Sequence, residues 1–120
     1  MYASANNVDN IIVTVDYNGQ QIDGSTEDVL DIGNLKLKLE SFNWKVLEIE
    51  NGNSLDDVYK TLNEAKENSM KGKPVVILMK TIMGNGVDFM IHNHKWHRVA
   101  PNDEQIKEAL NPNPETLGDY

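Results

Sequence analysis

Three short apolar runs, separated by stretches with helical spacing, confine this chain to an α/β design. Residues 11–15 read Ile-Ile-Val-Thr-Val, residues 44–49 Trp-Lys-Val-Leu-Glu-Ile, and residues 75–79 Val-Val-Ile-Leu-Met. Runs of this length, rich in β-branched residues and without a polar face, suit strands of a parallel sheet covered on both sides. Between them, Leu55, Val58, Tyr59, Leu62 and Ala65 line one helical face behind Ser54, which with Asp57 resembles a capping box. Leu35, Leu39 and Phe42 also fall at helical spacing, although Leu35, Leu37 and Leu39 alternate as a strand would, so both forms stay open there. Asn102 with Gln105 can cap a last short helix carrying Ile106, Ala109 and Leu110, which Pro112 and Pro114 end. Strands alternating with helices require crossover connections, so the expected architecture is part of a doubly wound parallel sheet, with three strands and flanking helices. Residues 1–110 are expected to form this unit, and residues 111–120 a loosely held tail.

Bulk properties remove several classes of function. A chain of 120 residues suits one domain or a piece of one. Its formal charge of −8, from 19 acids against 11 bases, argues against nucleic acid or an anionic membrane as a partner. The lack of cysteine rules out disulfides and thiolate metal sites. No apolar run is long enough to span a bilayer. Met1-Tyr2-Ala3-Ser4-Ala5 has neither the basic nor the apolar region of a signal peptide, so a cytoplasmic location is expected.

In sheets of this kind ligands bind beyond the carboxyl ends of the strands, which directs attention to residues 16–26 and 80–100. The first loop contains Asn18-Gly19 and Asp23-Gly24, both strong turn signals on their own. Taken whole, Asp16-Tyr17-Asn18-Gly19-Gln20-Gln21-Ile22-Asp23-Gly24, preceded by Val8-Asp9-Asn10, resembles the closing half of the thiamine-diphosphate motif as transketolases carry it, especially those encoded as separate halves. The resemblance implies that the Asn18 side-chain oxygen and the Gln20 backbone carbonyl are ligands to Mg²⁺, facing the same ion from the end of a strand, and that Ile22 contacts the cofactor. Such neutral oxygens suit a hard ion that shares its octahedral shell with a diphosphate.

The second loop reads Lys80-Thr81-Ile82-Met83-Gly84-Asn85-Gly86-Val87 and continues to His92-Asn93-His94-Lys95-Trp96-His97. Three close histidines suggest a metal, but without cysteine or a suitable carboxylate a zinc site is disfavoured. The order Lys80, Thr81, Gly84, Gly86, Val87, Phe89, Met90, then Asn93, Trp96, His97, then Ala100 to Glu104 is similar to that of separately encoded transketolase halves. On this resemblance His97 lies near the diphosphate and the reacting centre, able to donate hydrogen bonds to phosphate oxygens and to move protons of substrate hydroxyls. His92 and His94 receive no role. Arg98 stands where the family usually has glycine; a cation there could approach a phosphate or obstruct a tight backbone.

The resemblance covers roughly residues 1–110 and leaves parts of the site unaccounted for. The Gly-Asp-Gly that opens the motif, whose Asp is the third protein ligand to Mg²⁺, lies farther upstream than the seventeen residues before Asn18 reach. In the family the cofactor sits between two domains, so a pyrimidine-binding transketolase C-terminal section is the implied partner, in a homo-oligomeric assembly acting on sugar phosphates. The implied reaction moves a two-carbon ketol group from a ketose phosphate to an aldose phosphate, with thiamine diphosphate and Mg²⁺, and this chain alone is expected to be inactive. A 1-deoxyxylulose-5-phosphate synthase-like activity, or a non-catalytic remnant that only pairs with a partner chain, are the alternatives.

Overall fold

The computed structural model describes residues 1–112; the expected loose tail falls, from residue 113 onward, outside them. A short helix α1 (Tyr2–Ala5) leads to strand β1 (Ile12–Asp16), followed by a small antiparallel hairpin of β2 (Gln20–Gln21) and β3 (Gly24–Ser25). Helices α2 (Thr26–Leu30) and α3 (Leu35–Ser41) come next, then β4 (Lys45–Ile49), α4 (Leu55–Asn68) and β5 (Val75–Met79). Two 3₁₀ turns (Asp88–Met90 and His94–His97) and α5 (Asp103–Leu110) complete the described chain.

The three longer strands form one parallel sheet in the order β1-β5-β4, with Ile12 and Lys45 both in register with Val75. The α/β expectation of three parallel strands flanked by helices is therefore met. β5 lies in the middle, which explains why its sequence is apolar throughout: Val75, Val76, Ile77 and Leu78 are all buried, and polar alternation would place a group without a partner in the core. β4, at an edge, does alternate. Leu47 and Ile49 turn inward while Glu48 faces α3 and pairs with Lys36.

Helix α4 completes a βαβ unit between β4 and β5. Its Ala65 is fully buried and joins Leu47, Ile49, Val75 and Ile77 in the core, with Ile12, Val58 and Met79 packed against them. Ser54 caps α4 by accepting the Asp57 N–H, and Asn102 and Gln105 form a reciprocal capping box at the start of α5. The segment left open between helix and strand is helical: Asn34 accepts the Leu37 N–H, and α3 runs to Ser41 before Asn43 adopts a left-handed φ of 64° beyond its end.

Asp9 ties the amino-terminal side of the sheet together. Its carbonyl accepts the Met70 N–H and its carboxylate accepts the Gly72 N–H at 2.9 Å, so the α4–β5 connection is clamped onto the segment entering β1.

Candidate cofactor site

The carboxyl ends of all three parallel strands open on one side, where a cavity of ≈540 Å³ is formed. β1 contributes Asp16 and the residues just beyond it, Asn18 and Gln20. The loop after β4 contributes Asn53, the end of β5 and its following loop Met79, Thr81, Ile82 and Met83, and the second 3₁₀ turn His97. Residues 18, 20 and 97 thus border one cavity although 79 positions separate the first from the last.

Asn18 is held by both ends of its amide. The nitrogen donates to the Asp16 carboxylate at 3.1 Å, and the oxygen accepts the Gln20 N–H at 2.8 Å. This fixes which atom faces the loop and leaves a second lone pair on the oxygen. Gly19 provides the bend between them at φ +71°. Asp16 had no role in the sequence reading, yet its carboxylate also accepts the Thr81 hydroxyl, joining the ends of β1 and β5.

A second network holds the β4 and β5 loops. Gly52 donates its N–H to the Lys80 carbonyl at 2.7 Å, and Asn53 accepts the Ile82 N–H at 2.8 Å. A Cβ at Gly52 would lie 2.7 Å from Thr81 Cγ2 and 2.9 Å from the Lys80 carbonyl oxygen, so this approach needs glycine. Lys80 turns away from the cavity toward Glu50, both of whose oxygens accept from it at 2.8 Å. That hydrogen bond holds the lysine pKa above its ordinary value.

His97 is carried by a turn with its own anchors. Asn93 accepts the Lys95 N–H at the start of the turn; the Trp96 indole donates to the Phe89 carbonyl at 3.1 Å, and its ring lies 5.3 Å from that of Phe89. Gly84 is needed beneath it, because at φ +77° a Cβ would come within 2.5 Å of the Met90 backbone carbon. Arg98 follows with φ −136°, a conformation open to any residue, so its side chain does not strain the backbone.

Not every residue singled out in the sequence meets at this cavity. Ile22 sits in the two-residue loop of the β2–β3 hairpin and lines a neighbouring cavity, which His97 and His94 also border. The Asp23-Gly24 signal marks that hairpin, with Gly24 pairing opposite Gln21. His92 lies apart from both cavities in a left-handed conformation, φ 53°, its N–H bound to the Met83 carbonyl. Among the described residues no group of three His, Cys, Asp or Glu side chains is placed to hold a metal ion. No helix among them is long and apolar enough to cross a membrane.

A parallel α/β sheet with polar oxygens, a histidine and glycine-dependent loops gathered at its strand ends has its candidate site where α/β domains of this class bind their ligands. Comparison with known proteins narrows the class: the chain belongs to the transketolase family, matching the transketolase thiamine diphosphate binding domain over residues 1–114. It is 33% identical over 103 residues to an apulose-4-phosphate transketolase subunit of Phocaeicola vulgatus, covering 86% of this chain and 36% of that one. It is also 33% identical over 110 residues to a 6-deoxy-6-sulfo-D-fructose transketolase subunit of Clostridium sp., covering 92% of this chain and 39% of that one. The crystal structure of transketolase from Campylobacter jejuni superposes with a TM-score of 0.78 at 30% identity, over 94% of this chain and 18% of that enzyme. The chain therefore spans under two-fifths of the length of these subunit relatives.

Proposed function

We propose that this chain provides the downstream part of the diphosphate-binding domain of a two-subunit transketolase, which moves a two-carbon ketol group from a ketose phosphate to an aldose phosphate. The observation that supports it most is the single cavity bordered by Asn18, Gln20 and His97 at the carboxyl end of the sheet. Relatives named as transketolase subunits support a division of the enzyme between chains; in this reading a pyrimidine-binding section is the partner, and a homo-oligomeric assembly forms around the pair.

The donor set fits the proposed metal and cofactor. An amide oxygen and a peptide carbonyl are hard, neutral ligands suited to Mg²⁺ whose remaining positions are filled by diphosphate oxygens. In this reading Asn18 and Gln20 hold the ion, Asp16 and Thr81 keep Asn18 in place, Ile22 contacts the cofactor, and His97 donates hydrogen bonds to phosphate oxygens. His97 also shuttles protons of the substrate hydroxyls. Thiamine diphosphate, when bound, supplies the electron sink for making and breaking the carbon–carbon bond.

The 120 residues contain no Gly-Asp-Gly, so these two ligands form only part of a metal shell. The 120-residue chain alone should accordingly bind no thiamine diphosphate and have no activity. Calorimetric titration of the cofactor with Mg²⁺ into the chain alone, and into an assembly that adds a Gly-Asp-Gly segment and a pyrimidine-binding partner, tests this. Binding and ketol transfer by the assembly only is the expected result. Micromolar binding by the chain alone would contradict it, and turnover of pyruvate in place of ketose phosphate would favour a deoxyxylulose-phosphate synthase-like activity.

A further inference from the structure

Three asparagines are followed by glycine: Asn18-Gly19, Asn51-Gly52 and Asn85-Gly86. Such a step is chemically labile, because glycine has no Cβ to keep its backbone nitrogen away from the neighbouring side-chain amide. The fold restrains the three steps very differently.

At the first, both ends of the Asn18 amide are bound, the nitrogen to Asp16 and the oxygen to the Gln20 N–H, and the Gly19 carbonyl accepts the Thr26 N–H at 2.9 Å. At the second, the Asn51 side-chain oxygen accepts the Asn53 N–H at 3.3 Å. The Gly52 nitrogen, which would have to attack, donates to the Lys80 carbonyl at 2.7 Å, and Thr81 and Lys80 fill the space beside it. At the third, Asn85 and Gly86 are both exposed, and among the described residues no hydrogen bond holds the Asn85 side chain. Gly86 has a partner in the fold, so the restraint at this step falls on the glycine and not on the amide. The two residues form the centre of a turn that the Val87 N–H closes on the Gly84 carbonyl at 3.0 Å, with Gly86 at φ +89°.

We propose that Asn85 is a site of spontaneous deamidation through a succinimide, and that its isoaspartyl product undoes the turn leading toward His97. The Gly86 nitrogen gives its proton to hydroxide and bonds to Cγ of Asn85. The bond from Cγ to Nδ2 breaks, and that nitrogen leaves as ammonia with a proton taken from water. Water then adds to either carbonyl of the ring. Cleavage between Cγ and the Gly86 nitrogen leaves aspartate, whereas cleavage between the main-chain carbonyl carbon and that nitrogen leaves isoaspartate, whose backbone runs through Cβ and is longer by one atom. No oxidant or reductant is needed. The longer backbone cannot keep the closure between Gly84 and Val87, and Gly84 lies directly against the Met90 backbone, so the disturbance passes into the segment that carries His97. The inference is independent of the function proposed above.

The test is peptide mapping by mass spectrometry of the 120-residue chain held at mildly alkaline pH. The exchange of an NH group for oxygen should appear first at Asn85, at least about tenfold faster than at Asn18, where two hydrogen bonds must open before the amide can react. The rate should rise with pH, because the attacking nitrogen must lose its proton, and a protein methyltransferase specific for isoaspartate should label the product. In urea the three steps should converge, since the fold no longer separates them. Asn85→Gln should abolish the fast phase. The isoaspartyl chain, separated by anion exchange, should show faster amide hydrogen exchange across residues 84–97, while Asn85→Asp, which carries the charge on a backbone of normal length, should not. Equal rates at the three steps in buffer, a faster step at Asn18 or Asn51, or the same order of rates in urea would overturn the assignment to the fold. Unchanged exchange in the isoaspartyl chain would overturn the effect on the turn.

Discussion

The side-chain oxygen of Asn18 accepts the backbone N–H of Gln20 at 2.8 Å, while its amide nitrogen is held by Asp16 at 3.1 Å. The two residues proposed to meet Mg²⁺ are thus tied to each other, by a hydrogen bond that uses the Gln20 N–H and leaves its carbonyl out, along a five-residue path that starts at the last residue of β1. Preorganisation of this kind lowers the ordering a ligand must impose on binding.

Replacing Asn18 with Ala removes the proposed ligand together with the acceptor for the Gln20 N–H. The lost hydrogen bond should destabilise the chain by about 1 kcal/mol, read from denaturant midpoints. In the assembled enzyme the Mg²⁺ affinity should fall by more than about tenfold, since even loss of an outer partner to a metal ligand costs that much. A variant with unaltered Mg²⁺ dependence of activity would remove Asn18 from the metal shell.

Gly84 and Gly19 have similar backbone angles, φ +77° and +71°, but different surroundings. A Cβ at Gly19 meets nothing within 4 Å, whereas one at Gly84 would stand 2.5 Å from the Met90 carbonyl carbon and 2.6 Å from its oxygen. Gly19→Ala should therefore cost only the left-handed penalty, about 1–2 kcal/mol. Gly84→Ala adds a backbone collision to the same penalty and should cost more, with hydrogen exchange accelerating through residues 84–97. Equal destabilisation of the two variants would contradict the packing described around Met90.

How much of this was legible in the sequence depended on whether the deciding contact is local. β5 was read at its observed bounds because a strand buried on both faces leaves an uninterrupted apolar run. The edge strands shifted by one residue for specific reasons. Asp16 remains in register with Met79, extending β1, and Trp44 spends its N–H on the Leu39 carbonyl at the end of α3, so β4 starts at Lys45. Helix α2 was not anticipated, although Ser25 accepts the Asp28 N–H and Glu27 and Asp28 fill its first turn; the turn signals at 18–24 masked that cap. In the site, Asn18, Gln20 and His97 were expected from a family resemblance. Asp16 and Thr81 fell within the quoted family stretches without a role, and Gly52 and Asn53 were not singled out, because the pairings that join them lie far apart in sequence: Asn53 binds Ile82 and Asp16 binds Thr81. No pattern of residue types marks such pairings.

Met70 provides a test of the backbone away from the site. It has φ 61° and is 76% exposed, so it bears the left-handed penalty with little burial in return. Its N–H binds the Asp9 carbonyl at 2.8 Å, a contact glycine would keep. Removing a penalty of about 1–2 kcal/mol outweighs the extra entropy glycine loses on folding, so Met70→Gly should stabilise the chain by about 0.5–1 kcal/mol. A thermal melt should show Tm rising by a few degrees; a fall would mean that the Met70 side chain carries packing the exposure does not reveal.

Trp96 holds the turn that carries His97 by two separable contacts, the indole donor to the Phe89 carbonyl and the tilted ring pair with Phe89. Trp96→Phe keeps an aromatic ring and removes the donor, and should cost about 1 kcal/mol. Trp96→Leu removes both and should lose roughly 0.5–1.5 kcal/mol more, the range measured for aromatic pairs. Because His97 is the next residue, both variants should lower kcat/KM of the assembled enzyme by loosening that imidazole, with Trp96→Leu the more damaged. The same order should appear in hydrogen exchange at residues 94–97. If Trp96→Phe loses activity while exchange there is unchanged, the indole N–H acts on the ligand directly and not through the turn.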